Sequence, residues 1–425
     1  MKRNLILKTL ALTLTISLFA PFSVKSYATE NTEQTSPSIQ AESALTMDYE
    51  TGEIIYAKDA DSKRYPASTT KLLTGLLLAE KFEKNSELSF TQSAKEQPEY
   101  SLNINYMGNR MQVGDKMLAD DVMKGLLLFS GNDTAYMIAD NVAGSSDAFS
   151  ALMNKRAKEL GANNTNFITA NGLHDPNHYT TAYDLSLITK AAFDNPWERE
   201  TMELKESPID INGSRIILEN RNLGLGKNGN IAGKTGLTNA AGGCLAAVYE
   251  KDGRKIVGVV LKSRQIDNVD MTKFNDMDSI INYSYSTDKQ VYKKANEEVG
   301  TTDLQYKSFG LFGPTRTITV PIVLSQDVMY YKNAINDAES TITYNASNNS
   351  AWKLAFNKNT NLTYSTRNHT EDVKGMINVS VGKILKDNIL LYSTVLVIAI
   401  IIITLIILIR NMAKNNRKRR YRRRY

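Results

Sequence analysis

Cysteine is nearly absent from the 425 residues, with Cys244 the only one. No intramolecular disulfide is possible, and a lone thiol of this kind reads as a small buried apolar residue rather than a nucleophile. Histidine is almost as scarce, at three, and there is no Cys/His cluster from which to build a structural zinc site. A basic body is missing too. The formal net charge is +6, yet 13 of the 51 basic residues lie in residues 1–28 and 410–425, which hold no acid. The rest carries 38 basic against 45 acidic residues and is mildly acidic. Nucleic-acid binding needs a basic footprint and finds none here.

Long apolar runs are confined to the two ends. Residues 1–28 begin with Lys2 and Arg3, continue through an apolar run from Leu10 to Phe19 and close on Ser26-Tyr27-Ala28. This predicts a secretory signal peptide cut after Ala28, with an uncleaved anchor as the alternative. Residues 389–409 carry no charge and are mostly Ile, Leu and Val. At about 1.5 Å per residue they cover roughly 30 Å, one hydrocarbon core, and predict a transmembrane helix. The basic tail 410–425 is then cytoplasmic, which makes the chain a single-pass cell-membrane protein with its body extracytoplasmic.

Between the ends, residues 29–40 are rich in Thr, Ser, Glu and Gln and read as a flexible spacer. Strand-like segments Ser43–Tyr49 and Glu53–Lys58 flank a turn at Glu50-Thr51-Gly52. Pro66 precedes an apolar helical stretch over Leu72–Phe82, so Ser68 falls in the first turn of a buried helix. Further helices are expected at Leu118–Phe129, Asp133–Val142, Phe149–Leu160 and Ala182–Phe193, the last capped by Thr181, and at Lys273–Tyr285. Strands are expected near Ile231, at Cys244–Tyr249 and at Ile256–Lys262, the last two joined by Asp252-Gly253. The pattern is α+β, a helical cluster beside an antiparallel sheet over residues 41–287, followed by a small β-rich domain at 290–385.

Three short motifs occur in order: Ser68-Thr69-Thr70-Lys71, Ser130-Gly131-Asn132 and Lys234-Thr235-Gly236. Each is weak alone, since S-x-x-K recurs at Ser286–Lys289 and Ser350–Lys353. Their contexts strengthen them. Ser68 opens a helix after proline, Ser130 interrupts one, and Lys234 lies on a strand beside glycine. A serine hydroxyl needs a neighbouring base, and positions i and i+3 of a helix share a face, so Lys71 can serve Ser68. A lysine is a base only when burial or nearby positive charge lowers its pKa, and Lys234 supplies that charge while attracting a substrate carboxylate. Ser130 can relay a proton to a leaving amine, and Asn132 can hold Lys71 and a substrate amide. Backbone N–H groups of Ser68 and Leu237 are candidates for an oxyanion hole.

With these motifs the chain resembles the serine DD-peptidases and penicillin-binding proteins, and more narrowly the low-molecular-mass D-alanyl-D-alanine carboxypeptidases. Pro66-Ala67 before Ser68, Asp133 and Ala135 after Asn132, and Leu237, Thr238, Ala241 and Gly242 after Gly236 extend the likeness. So do Asn171-Gly172-Leu173 and His178-Tyr179-Thr180-Thr181-Ala182-Tyr183-Asp184-Leu185. The resemblance implies a β-lactamase-like catalytic domain with Ser68, Lys71 and Ser130 as catalytic residues. Asn132, Lys234, Thr235, Gly236, Leu237 and Thr238 would bind substrate. It implies no metal and no organic cofactor, a peptidoglycan stem peptide ending in D-Ala-D-Ala as substrate, and acylation by β-lactam antibiotics. Many relatives carry histidine immediately before the Gly-Leu pair, where this chain has Asn171, and no Glu-x-x-Leu-Asn of the β-lactamase kind is present in that stretch. The alternatives are transpeptidation or β-lactam hydrolysis at the same site, or, from a different class, a non-catalytic β-lactam sensor or wall-binding protein. Arg264 is a weaker candidate for binding a carboxylate. A Ser-His-Asp triad through His174 or His178 is disfavoured, because Lys71 already supplies the base.

Overall fold

The computed structural model describes residues 36–265, 270–345 and 350–422. The expected signal peptide, most of the spacer and the last three residues of the tail lie outside them. Strands β1 (Ser43–Asp48) and β2 (Ile54–Lys58) form the expected hairpin. Strands β7 (Asn230–Thr238), β8 (Gly242–Lys251) and β9 (Arg254–Ser263) complete an antiparallel sheet of order β2-β1-β9-β8-β7. Side chains of a strand alternate between faces, and both faces of this sheet are covered. Leu245, Ala247 and Tyr249 of β8 pack on one side with Ile280 and Ile281 of the helix Thr272–Ser286. Cys244, Ala246 and Val248 pack on the other with the helical cluster. Cys244 is fully buried there, an apolar filler.

At the centre of the cluster is α1 (Lys71–Ala79), with eight of its nine residues buried. A 3-10 turn, Ala67–Thr70, leads into it and carries Ser68. The helix stops at Ala79, short of the expected Phe82. The helix expected at Leu118–Phe129 is two pieces, α-helical over Ala119–Lys124 and a π-turn over Gly125–Phe129. The widened turn delivers Ser130 in the left-handed conformation (φ 73°), after which the helix Asn132–Ala143 begins. Thr181 caps the helix Ala182–Asp194 by accepting from Asp184 N at 3.0 Å. Several elements have no counterpart among the sequence expectations, two of them near the cleft. A helix at Pro196–Met202 is capped by Asn195, and a hairpin pairs Glu206–Ile211 with Ser214–Glu219. Its turn, Asn212-Gly213, has both residues at positive φ, a turn chemistry visible in the sequence.

Beyond residue 290, β11 (Glu298–Lys307), β12 (Thr315–Leu324) and three further strands form a second sheet of order β11-β12-β16-β15-β14. Here β14 is Thr341–Thr343, β15 is Asn359–Thr366 and β16 is His369–Ile377. This sheet has its own core, including Val320, Leu362, Tyr364 and Ile377. Polar contacts join it to the first sheet. Asn336 donates to Ile54 O at 2.8 Å, Lys289 pairs with Glu53 at 2.6 Å, and Arg367 reaches Asp61. The last element among the described residues is a helix, Ile389–Arg422, long and apolar enough to cross a membrane, with a mean hydropathy of 3.0 over an 18-residue stretch.

Candidate active site

The three motifs converge. Lys71 follows Ser68 by three residues, and its Nζ lies 3.1 Å from Ser68 Oγ. The same nitrogen is 2.8 Å from Asn132 Oδ1 and 2.7 Å from the carbonyl of Asn171. An uncharged amine has two N–H bonds and one lone pair. Asn132 and Asn171 accept the two hydrogens, which leaves the lone pair for the Ser68 hydroxyl. Lys71 is fully buried, and burial followed by the positive charge of Lys234 holds its pKa well below the ordinary lysine value.

Lys234 is also buried, on the edge strand β7. It donates to Ser130 Oγ at 3.0 Å and to Thr235 O at 2.9 Å. Burial first, and then Arg221, bring its pKa down to about 7. Each positive charge raises the cost of the other, and the deeper depression at Lys71 makes it the first to lose its proton. Over the intervening pH range the site holds one neutral amine and one cation.

Backbone geometry fixes these positions. Ala67 and Ser130 are non-glycine residues at positive φ, 49° and 73°, a local strain that the surrounding packing must hold. Gly172 lies so close to the nucleophile turn that a Cβ on it would be 1.9 Å from Ala67 O. No other residue fits there. A Cβ on Gly236 would lie 3.0 Å from Ser68 N, so β7 passes directly beside the nucleophile. The buried carboxylate of Asp133 accepts from the backbone of Ile104, Asn105 and Thr134 at 2.9–3.1 Å, tying the Ser130 turn to the segment that roofs it. Burial raises its pKa to about 6 against those bonds.

His178 does not form a triad with Ser68. Its Nδ1 accepts from Ile168 N and Thr169 N at 3.0 and 3.1 Å, so Nε2 carries the hydrogen and faces Thr70 Oγ1 at 2.9 Å. Thr70 in turn donates to Ala67 O. The imidazole is thus a neutral strut between the central loop and the nucleophile turn, with burial lowering its pKa to about 4. Asn171 serves Lys71 through its main chain, while its side chain turns away to Gln97 at 2.8 Å.

Ser68, Ser130, Thr235, Gly236 and Leu237 line one open cleft of about 490 Å³, and Lys71, Asn132 and Lys234 lie beneath its floor. Thr238 borders a neighbouring depression instead, together with Arg264. Two cations line the Ser68 cleft that the motifs did not point to, Arg221 and Lys273. Arg221 comes from the chain after the unread hairpin and Lys273 from the helix Thr272–Ser286, and neither lies in a motif.

The chain matches the D-alanyl-D-alanine carboxypeptidase family over residues 29–265. It is 32% identical over 273 residues to the D-alanyl-D-alanine carboxypeptidase DacC of Escherichia coli, covering 63% of this chain and 66% of that one. It is 29% identical to DacF of Bacillus subtilis, covering 65% and 70% of the two chains. A Streptomyces D-alanyl-D-alanine carboxypeptidase is 30% identical, with 61% of this chain and 92% of the relative covered. The match thus spans just under two thirds of DacC and most of the shorter Streptomyces protein. Among solved structures, a Streptomyces DD-transpeptidase superposes with a TM-score of 0.53 at 27% identity, over 60% of this chain and all of that one. On the family match and the placement of its three motifs, this chain belongs to the D-alanyl-D-alanine carboxypeptidase family.

Proposed function

We propose that the protein is a serine-type DD-carboxypeptidase that removes the terminal D-Ala from peptidoglycan stem peptides through an acyl-Ser68 intermediate. The observation that carries this reading is the contact of Ser68 with a buried lysine that has no carboxylate partner. The neutral Lys71 amine takes the Ser68 proton as Oγ attacks the carbonyl carbon of the penultimate D-Ala. The N–H groups of Ser68 and Leu237 receive the developing oxyanion, an interaction typically worth about 3 kcal/mol per donor. As the C–N bond breaks, Ser130 passes a proton to the amine of the departing D-Ala. Water then attacks the ester and frees the shortened peptide. The substrate extends along the open edge of β7, with Asn132 on its amide and Thr235, Gly236 and Thr238 along its flank. Lys234 and Arg221 draw in the terminal carboxylate.

In this reading residues 41–287 form the catalytic domain and 290–385 a β-rich domain that holds it off the membrane. Residues 389–409 span the bilayer with the basic tail 410–425 on the cytoplasmic side. Penicillin acylates Ser68 as a mimic of the substrate. Mass spectrometry after penicillin treatment should find one adduct, on the Ser68 peptide, and none in Ser68→Ala. An adduct elsewhere, or an uncut D-Ala-D-Ala peptide, would refute the assignment. Transpeptidation is a second reading, favoured by the match to a Streptomyces DD-transpeptidase over that protein's full solved chain. Product analysis with and without an acceptor amine separates the two.

A further inference from the structure

The β-rich module presents an ordered apolar tip beside the start of the C-terminal helix. The tip is the turn between β11 and β12, where Leu311 is 96% and Phe312 68% exposed. These side chains are not on a loose loop. Phe309 N donates to Phe312 O, Gly310 N donates to Lys307 O, and the rings of Phe309 and Phe312 stack at 5.3 Å. Gly313 takes a positive φ of 94°, and a Cβ there would strike the Phe309 ring at 2.7 Å.

The tip is fastened to the helix. Tyr392, one turn into Ile389–Arg422, packs its ring on Phe309 at 5.5 Å and donates its hydroxyl to Ser308 O. Just before the helix, Asn388 donates to Tyr306 Oη at 2.6 Å. Trp352 donates to Lys307 O at 2.7 Å and sets its ring against Tyr306. The uncharged span begins at Ile389, so the bilayer surface must fall near that residue. A tip bonded to Tyr392 is then level with that surface or below it. Its aromatic and aliphatic composition suits the boundary between headgroups and acyl chains, where tyrosine and tryptophan concentrate. Exposed Lys307 and Lys386 flank it with charges that can reach lipid phosphates.

We propose that Leu311 and Phe312 insert into the outer-leaflet interface, so that the β-rich module docks on the lipid surface rather than standing free on its helix. The span and the tip together would then fix the height and tilt of the Ser68 cleft above the membrane. The inference rests on the reading of Ile389–Ile409 as a membrane span.

Full-length protein in lipid nanodiscs tests it, with a bimane probe placed by Leu311→Cys, Ile400→Cys or Lys155→Cys. Cys244 is fully buried and leaves the introduced thiol as the labelling site. Leu311 is exposed and Lys155 lies on the far-exposed face of the helix Ser146–Glu159, so both substitutions leave the fold intact. Brominated phosphatidylcholine should quench the probes at 311 and 400, and aqueous iodide should quench position 311 several-fold less than position 155. Lipid quenching at 400 with iodide access at 311 equal to that at 155 would overturn the docking and leave the span standing. Lipid quenching at neither position would remove both. Shielding of position 311 in native membranes but not in nanodiscs would assign the tip to a protein partner and overturn the lipid proposal.

Discussion

The two sheets of this protein treat charge in opposite ways. The portion before residue 290 buries Glu53, Lys71, Asp133, Asp184, Glu198, Lys234, Lys273 and Asp276. Among the described residues after 290, no Asp, Glu, Lys or Arg is buried. Burial of a charge is costly, so its concentration in one region needs a cause. The partners separate the cases. Asp276 accepts from Gln40 N, Ala41 N and Ser263 Oγ, and Asp133 from three backbone N–H groups, so these carboxylates organise chain segments. Lys71 and Lys234 differ in that every bonded acceptor is neutral. A buried lysine without a bonded carboxylate is held ready to lose its proton, and that distinguishes chemistry from scaffolding here.

The sharpest way to break this contrast is Lys71→Met. Removing a positioned base should cost about 10²- to 10⁴-fold in the rate of acylation by a fluorescent penicillin. The apolar side chain removes a buried amine but strands the acceptors Asn132 Oδ1 and Asn171 O, so the two effects oppose each other and the melting temperature should move by only a few degrees. A large fall in stability with activity retained would make Lys71 a scaffold residue like Asp276. The next effect is on pH dependence. Lys71 must be neutral and Lys234 charged, so kcat/KM should climb as Lys71 deprotonates and fall above about pH 7 as Lys234 loses its charge. Lys234→Arg should carry the alkaline limb upward, because the guanidinium stays charged. An alkaline limb that does not move would assign it to another group.

A smaller effect is expected at Glu198, which is fully buried and has no hydrogen-bond partner among the described residues at either carboxyl oxygen. It lies against α1 one turn from Lys71, where a Cβ on Gly75 would be 2.7 Å from its Oε1. Burial, then the charge of Glu80, raises its pKa well above the usual carboxyl value. A folded-state pKa above the unfolded one means the stability is fully present below about pH 4 and is lost as pH rises through the folded value. Glu198→Gln should therefore flatten the alkaline decline of the melting temperature and gain a few degrees over wild type at pH 9. Coincident curves at that pH would show that the carboxyl ionises without cost.

Much of this was legible in the sequence because the signals were local. The hairpin around Gly52, the Thr181 cap and the i, i+3 pairing of Ser68 with Lys71 each depend on residues close in the chain. The 21-residue apolar run is as direct. The π-turn at Gly125–Phe129 was not legible, because a uniform apolar helix pattern does not reveal a widened turn. Arg221 and Lys273 escaped for a different reason. They enter the cleft through tertiary packing, from a segment following a hairpin and from a helix, neither of which carries a motif. The junction between the two sheets was also hidden, since Asn336 and Ile54 meet across 282 residues.

That junction supplies the smallest expected effect. Arg367 donates in bidentate fashion to Asp61, contacts Glu339 and covers the Tyr183 ring at 4.7 Å. The carboxylates are half-exposed, so solvent screening limits the pair to roughly 1 kcal/mol or less. Arg367→Ala should leave the rate of Ser68 acylation within about twofold, because no bond of the Lys71 or Lys234 network passes through it. What should change is the coupling of the two sheets. Wild-type protein should unfold in one calorimetric transition, and the variant should broaden it or split it, with the β-rich module melting first. If acylation instead fell with the variant, the module would be part of the catalytic machinery, and the division of charge between the two regions would no longer mark a division of labour.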